Sequence, residues 1–157
     1  MKKQDLRYGE NPHQRGAFYV SPSASVTGVA TARQLHGKEL SFNNILDVES
    51  AFEIVKEFDR PACTIIKHTN PCGTAVADTL RMAFEHAWDG DPVSAFGGII
   101  GLNRPVGRET AEAISKAGFV ECVIAPAFDG DAIEVLSRKQ NVRILETGPI
   151  GANEEYD

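Results

Sequence analysis

The sequence predicts an α/β domain in α-β-α layers around a largely parallel sheet, and three features point there. Apolar runs at residues 62–66 and 98–102 have the length and character of strands covered on both faces, and residues 120–125 and 142–145 read as two further strands. Between them lie segments whose apolar residues recur at helical spacing, and strands alternating with such helices build βαβ layers. The composition, 42% hydrophobic and 24% charged over 157 residues, is that of one domain that buries a core.

Residues 1–43 are dense in turn formers, among them Gly9, Asn11, Pro12, Gly16, Pro22, Gly28 and Gly37, around a strand-like run at 17–20. They are expected to form an arm outside the core. Asn43 or Asn44 can then cap a helix with the stripe Ile45, Val48, Phe52, Val55 and Phe58, ending near Asp59 before Pro61. The apolar run at 62–66 delivers Lys67 and His68 at its carboxyl end, and the chain is expected to turn at Asn70 and Pro71. Asp78 or Thr79 opens a second helix through Trp88, with Leu80, Ala83, Phe84 and Ala87 on one side, and Gly90, Asp91 and Pro92 stop it. A strand at 98–102, a helix at 108–117, a strand at 120–125, a helix at 129–139 and a strand at 142–145 follow. The α/β unit therefore spans residues 44–146, and the Gly-rich, acidic residues 147–157 form a tail or linker. Ligands of parallel α/β sheets gather beyond the carboxyl ends of strands, which puts Lys67 and His68 at the edge of a candidate site.

Sixteen Lys and Arg against 22 Asp and Glu give a net charge of -6, which argues against a nucleic-acid or anionic-membrane surface. Cys63, Cys72 and Cys122 are an odd number, and no basic-then-apolar leader opens the chain, so a reduced, cytoplasmic protein is expected. The longest apolar run, residues 96–102, is broken by glycines and falls far short of the ~20 residues that span a bilayer.

The segment Lys67, His68, Thr69, Asn70, Pro71, Cys72, Gly73 joins a cation, an imidazole and a turn directly after a buried strand. A neutral His can accept a proton near pH 7, and a cation beside it can stabilise a developing oxyanion, a pairing suited to acyl or formyl transfer. Spacing leaves equally open a His68 that only satisfies a strand-end backbone group. A zinc site is not expected: Ala75 stands where a Pro-Cys-x-x-Cys pattern needs its second Cys, and none of His13, His36, His68 or His86 has Glu two residues later. Cys63 and Cys122 sit in apolar strands as small hydrophobes, and nothing marks Cys72 as activated. Near the N-terminus, Arg7 could hold a phosphate bidentately and Tyr8 add a hydroxyl, or both could belong to a solvated arm. Residues 91–98, ending in Gly97 and Gly98, form a loop whose backbone amides could face a ligand, but no phosphate-cradling or dinucleotide glycine fingerprint occurs.

Taken in order, five segments resemble one family: Arg7-Tyr8-Gly9-x-Asn11-Pro12-His13-Gln14, Gly37-Lys38-Glu39-Leu40-Ser41-Phe42-Asn43-Asn44, Lys67-His68-x-Asn70-Pro71-Cys72-Gly73, Asp91-Pro92-x-Ser94-Ala95-Phe96-Gly97-Gly98-Ile99, and Ile124-Ala125-Pro126. Together they look like the AICAR transformylase family, the formyl-transferring part of AICAR formyltransferase/IMP cyclohydrolase, and the likeness runs from Leu6 to about Glu146. It implies a cytidine-deaminase-like fold without zinc, in a homodimer that moves a formyl group from the cosubstrate 10-formyltetrahydrofolate to the 5-amino group of AICAR in purine biosynthesis. By that resemblance His68 matches the catalytic base and Lys67 the cation beside it. Arg7 and Tyr8 match nucleotide-binding positions that reach into a partner's site, Gly97 a backbone contact to the nucleotide, and Glu121 an acidic nucleotide-binding position. The family's transformylase has two related α/β halves, and the second, absent here, supplies the carboxamide contact and much of the folate site. A catalytically silent nucleotide-binding or assembly module is therefore the alternative to an enzyme half that is incomplete alone.

Overall fold

The computed structural model describes residues 1–21 and 27–151. Pro22 of the expected arm and residues 152–157 of the expected tail lie outside the described residues. In chain order the elements are β1 (Lys2–Asp5), β2 (Ala17–Tyr19), β3 (Arg33–His36), α1 (Phe42–Lys56), β4 (Ala62–Lys67), β5 (Asn70–Val76), α2 (Leu80–Gly90), α3 (Pro92–Ala95), β6 (Gly98–Leu102), α4 (Arg108–Ala117), β7 (Val120–Ala125), α5 (Gly130–Leu136) and β8 (Arg143–Glu146).

A six-stranded sheet in the order β3-β8-β7-β6-β4-β5 forms the middle layer. Alternate side chains of its strands bury two cores. On one face Ile66, Ile99, Cys122, Ile124 and Leu145 meet Val48, Ala51, Phe52 and Val55 of α1. On the other, Cys63, Ile65, Ile100, Val123 and Ile144 meet α2, α4 and α5 through residues such as Phe84, Ala111, Ile114 and Val135. The chain is thus a mixed α/β domain with helices on both faces of a central sheet.

The largely parallel sheet of the sequence expectation is corrected. Only β6 with β7 and β7 with β8 run parallel, while β4 pairs antiparallel with both β5 and β6, and β3 pairs antiparallel with β8. The reason is a hairpin between β4 and β5 where a turn and loop were expected. Its two-residue loop is His68 and Thr69, not Asn70 and Pro71, because Lys67 already pairs with Asn70. Both loop residues have positive φ, 51° and 65°, the condition of the type I′ turn that matches strand twist. Pro71 fits this reading because β5 is a sheet edge, where a missing N–H is tolerated.

The arm is also only partly outside the core. β1 and β2 form a separate two-stranded ribbon, but β3 joins the main sheet, and Val29, Ala32 and Leu40 are buried. The expected tail starts packed: Thr147 is buried, its N–H donates to the Ala125 carbonyl at 3.0 Å, and Ile150 rests on the α1-side core. The cap of α1 is Ser41 rather than Asn43 or Asn44. Its Oγ accepts the Asn44 N–H at 3.1 Å while the Asn44 side chain accepts the Ser41 N–H at 3.1 Å, a reciprocal capping box. α1 ends at Lys56, and Phe58 is left 36% exposed. By contrast β6, β7 and α4 lie on the expected residues, and Thr79 caps α2 through its bond from the Met82 N–H. Among the described residues no helix is long and apolar enough to cross a membrane.

The strand thiols carry a testable consequence. Cys63 and Cys122 are fully buried, and burial pushes both thiols up from the ordinary 9.0, that of Cys122 to about 12 and that of Cys63 further. Above pH 9 the unfolded chain releases these protons while the folded chain keeps them. Stability should therefore fall as pH rises from about 9 towards 12. Denaturant titrations across that range should show the fall in the wild type and a flatter profile in Cys63→Ala/Cys122→Ala; equal slopes would contradict it.

Candidate functional site

The reversed direction of β4 decides where the site lies. Ile66 pairs with Ile99, so the carboxyl end of β4 stands beside the amino ends of β6 and β7, with β8 next in the sheet. The expectation that a site gathers beyond the carboxyl ends of parallel strands holds only for β4; β6, β7 and β8 present their amino ends. A cavity of about 460 Å³ opens there, and it is lined by all six residues singled out in the sequence: Arg7, Tyr8, Lys67, His68, Gly97 and Glu121.

Each is positioned by local structure. Lys67 ends β4 and is half-buried, and its Nζ donates to the Phe96 carbonyl at 2.8 Å, which fixes the ammonium against the loop before β6. That loop turns at Gly97, whose φ of +78° is in the left-handed region that glycine enters without cost, and whose N–H donates to the Phe119 carbonyl at 2.7 Å. Phe96 and Phe119 pack with ring centroids 5.9 Å apart and wall the cavity. Arg7 is anchored by its backbone N–H on the Leu40 carbonyl at 3.1 Å, and its guanidinium lies 5.7 Å from the centre of the Tyr8 ring. The resemblance places Arg7 and Tyr8 in a partner's site; in the single chain both already stand at their own cavity.

His68 is exposed, and the turn it shares with Thr69 is strained at Thr69. A positive φ is tolerated by His but is an outlier for β-branched Thr69. Three hydrogen bonds hold the pair: the Thr69 N–H donates to Asp47 Oδ1 at 2.9 Å, the Thr69 hydroxyl to the His68 carbonyl at 2.6 Å, and the Asn70 side-chain amide to the same carbonyl at 3.2 Å.

Two residues that the sequence reading did not single out shape the floor. Asp47, on the second turn of α1, is 7% exposed. Burial pushes its carboxyl above the usual carboxylate range, opposed by the Thr69 N–H and by His68. Arg143, the first residue of β8, is 3% exposed; its Nη1 bonds Glu121 Oε2 at 2.9 Å, and its Nε donates to the carbonyls of Lys38 and Glu39, each at 3.2 Å. Glu121 is therefore the partner of a buried cation as well as a cavity wall. Both omissions had a signal in the sequence. Asp47 continues the helical stripe of Ala51 and Val55 at four-residue spacing, and Arg143 is a charge inside an apolar strand run.

Arg7, Lys67 and Arg143 against Asp47 and Glu121 leave the cavity lining with an excess of positive charge in a chain of net charge -6. The capped amino end of α1, through Ser41, Asn43 and Asn44, also lines it, and a helix N-terminus favours an anion. Such a site can hold an anionic ligand and offers an imidazole and an ammonium side by side for proton transfer and oxyanion stabilisation. Cys72 borders the region without being activated: burial and Asp91 push its thiol up, Lys67 only partly opposing them, and its Sγ leans on the Ser94 carbonyl at 3.4 Å. Among the described residues no three of His, Cys, Asp and Glu come together in a group that could hold a metal ion.

The bifunctional purine biosynthesis protein PurH of Oceanobacillus iheyensis is 53% identical over 154 residues, which cover 98% of this chain and 30% of that protein's length. The chain thus spans under a third of that relative. Two forms of Acinetobacter baumannii RibD overlap more weakly, each with a TM-score of 0.43 and 22% identity over 54% of this chain and 28% of theirs. The model of the AICARFT/IMPCHase bienzyme family matches residues 1–157, and the chain belongs to that family.

Proposed function

We propose that this chain is the first half of an AICAR transformylase, acting in purine biosynthesis with a cytidine-deaminase-like fold that uses no zinc. The observation that carries the reading is the convergence of six residues from separate sequence motifs on one cavity, with Lys67 and His68 adjacent at a strained turn. The weakly nucleophilic 5-amino group of AICAR attacks the formyl carbon of 10-formyltetrahydrofolate and its proton passes to His68; the bond from that carbon to the folate nitrogen then breaks, and the nitrogen takes up that proton and departs as tetrahydrofolate. Lys67, held by the Phe96 carbonyl, stabilises the negative charge that develops on the formyl oxygen. Arg7, Tyr8, the Gly97 backbone and Glu121 with Arg143 form the nucleotide side of the site.

The second half of the transformylase supplies the carboxamide contact and the rest of the folate site, and a homodimer completes the assembly. Positioning of two substrates accounts for several kcal/mol of such a reaction. The 157-residue chain alone should therefore show little formyl transfer and weak AICAR binding, and should gain activity when the second half is added as a separate polypeptide. Turnover by the chain alone at the level of a complete transformylase would refute the half-enzyme reading. No turnover on mixing, with AICAR still bound, would favour a silent nucleotide-binding module.

A further inference from the structure

We infer that Asp47 is a positioning residue that locks the His68–Thr69 turn so that the imidazole faces the cavity; this rests on the function proposed above. Thr69 is β-branched and occupies a left-handed conformation that such residues ordinarily avoid, at φ 65°. Conformations of this kind cost about 1–3 kcal/mol each and persist only where neighbours over-determine them. The Asp47 carboxylate is the element outside the hairpin that does so. It reaches from α1 across to β4, is 7% exposed, and accepts the Thr69 N–H at 2.9 Å. The other two bonds of the turn arise within the hairpin itself, from Thr69 and Asn70 to the His68 carbonyl. They shape the loop but do not tie it to the cavity floor. A carboxylate placed on a helical stripe otherwise occupied by Ala51 and Val55 has no packing reason to be there. Asp47 itself lines the cavity together with Lys67 and His68.

The test has one arm that does not depend on turnover. In the 157-residue chain, Asp47→Ala should speed amide exchange of Thr69 by about ten-fold or more and shift the ring resonances of His68. In the complete protein carrying the same substitution, kcat should fall by about 10- to 100-fold with the nucleotide KM nearly unchanged, since misplacement by an ångström costs on this order. Asp47→Asn keeps an acceptor oxygen for the Thr69 N–H and should recover much of the loss. Thr69→Gly in the Asp47→Ala background should recover part of it, because glycine adopts the left-handed turn without help. A rise in KM alone, an unchanged kcat, or failure of both rescues would overturn the proposal. If the wild-type complete protein transfers no formyl group, the function reading falls by itself; positioning is then decided by Thr69 exchange and the His68 resonances, and unchanged values in Asp47→Ala would sink it.

Discussion

In the complete enzyme, His68→Ala should lower formyl transfer by on the order of 100- to 10,000-fold, the range lost with one general base. The fold should survive, because His68 is exposed at a hairpin tip and its side chain fills no core space. Turn geometry can be separated from proton transfer by His68→Asn. Asn tolerates positive φ at least as well as His, so the loop keeps its shape while the base is gone. Both variants should bind AICAR with nearly wild-type affinity and turn over equally poorly. Wild-type-like turnover in either one would end the proposed mechanism, and a loss confined to His68→Ala would mean that the turn, not the imidazole, matters.

Gly73→Ala should be among the most damaging small substitutions for stability. A Cβ there would lie 2.9 Å from the Ala87 carbonyl carbon with the carbonyl oxygen closer still, so the obstacle is the backbone of α2 rather than a side chain that could rotate away. Overpacking of this kind reaches about 3 kcal/mol, which for a chain of this size lowers Tm by roughly 6 to 12 °C. Gly130→Ala is the natural control. It begins α5 with nothing within 4 Å of the added carbon, and Ala is the better helix former, so Tm should hold or rise slightly. Calorimetry on the two variants would decide; equal melting temperatures would show that β5 and α2 can separate freely.

The parts of the fold that were legible share a physical cause. β6 and, apart from Glu121, β7 are apolar, α4 is strongly amphipathic, and glycines or a proline mark their ends, so their burial is written into the sequence. β5 was missed because an edge strand covered only in part needs no apolar alternation, and its Asn-Pro-Cys-Gly opening has the composition of a turn. With β5 unseen, the reversal of β4 could not be seen either, and strand direction leaves no trace in hydropathy. The same holds for the site. Lys67 and His68 were legible because two polar residues end an apolar run. Arg143 and Asp47 lie 76 and 20 residues from Lys67 and meet it only through sheet order and helix placement.

The hairpin that presents His68 also leaves β5 as the outer strand of the sheet, and an open edge invites pairing with another chain. Here the invitation is broken. Pro71 contributes no donor, the pairing register shifts between Ile65 and Ile66, and Thr74 and Pro71 are exposed where a continuous apolar ribbon would be sticky. The strand that follows the His68–Thr69 turn is thus built to resist edge-to-edge pairing, so changes at Pro71 bear on how the protein behaves at high concentration.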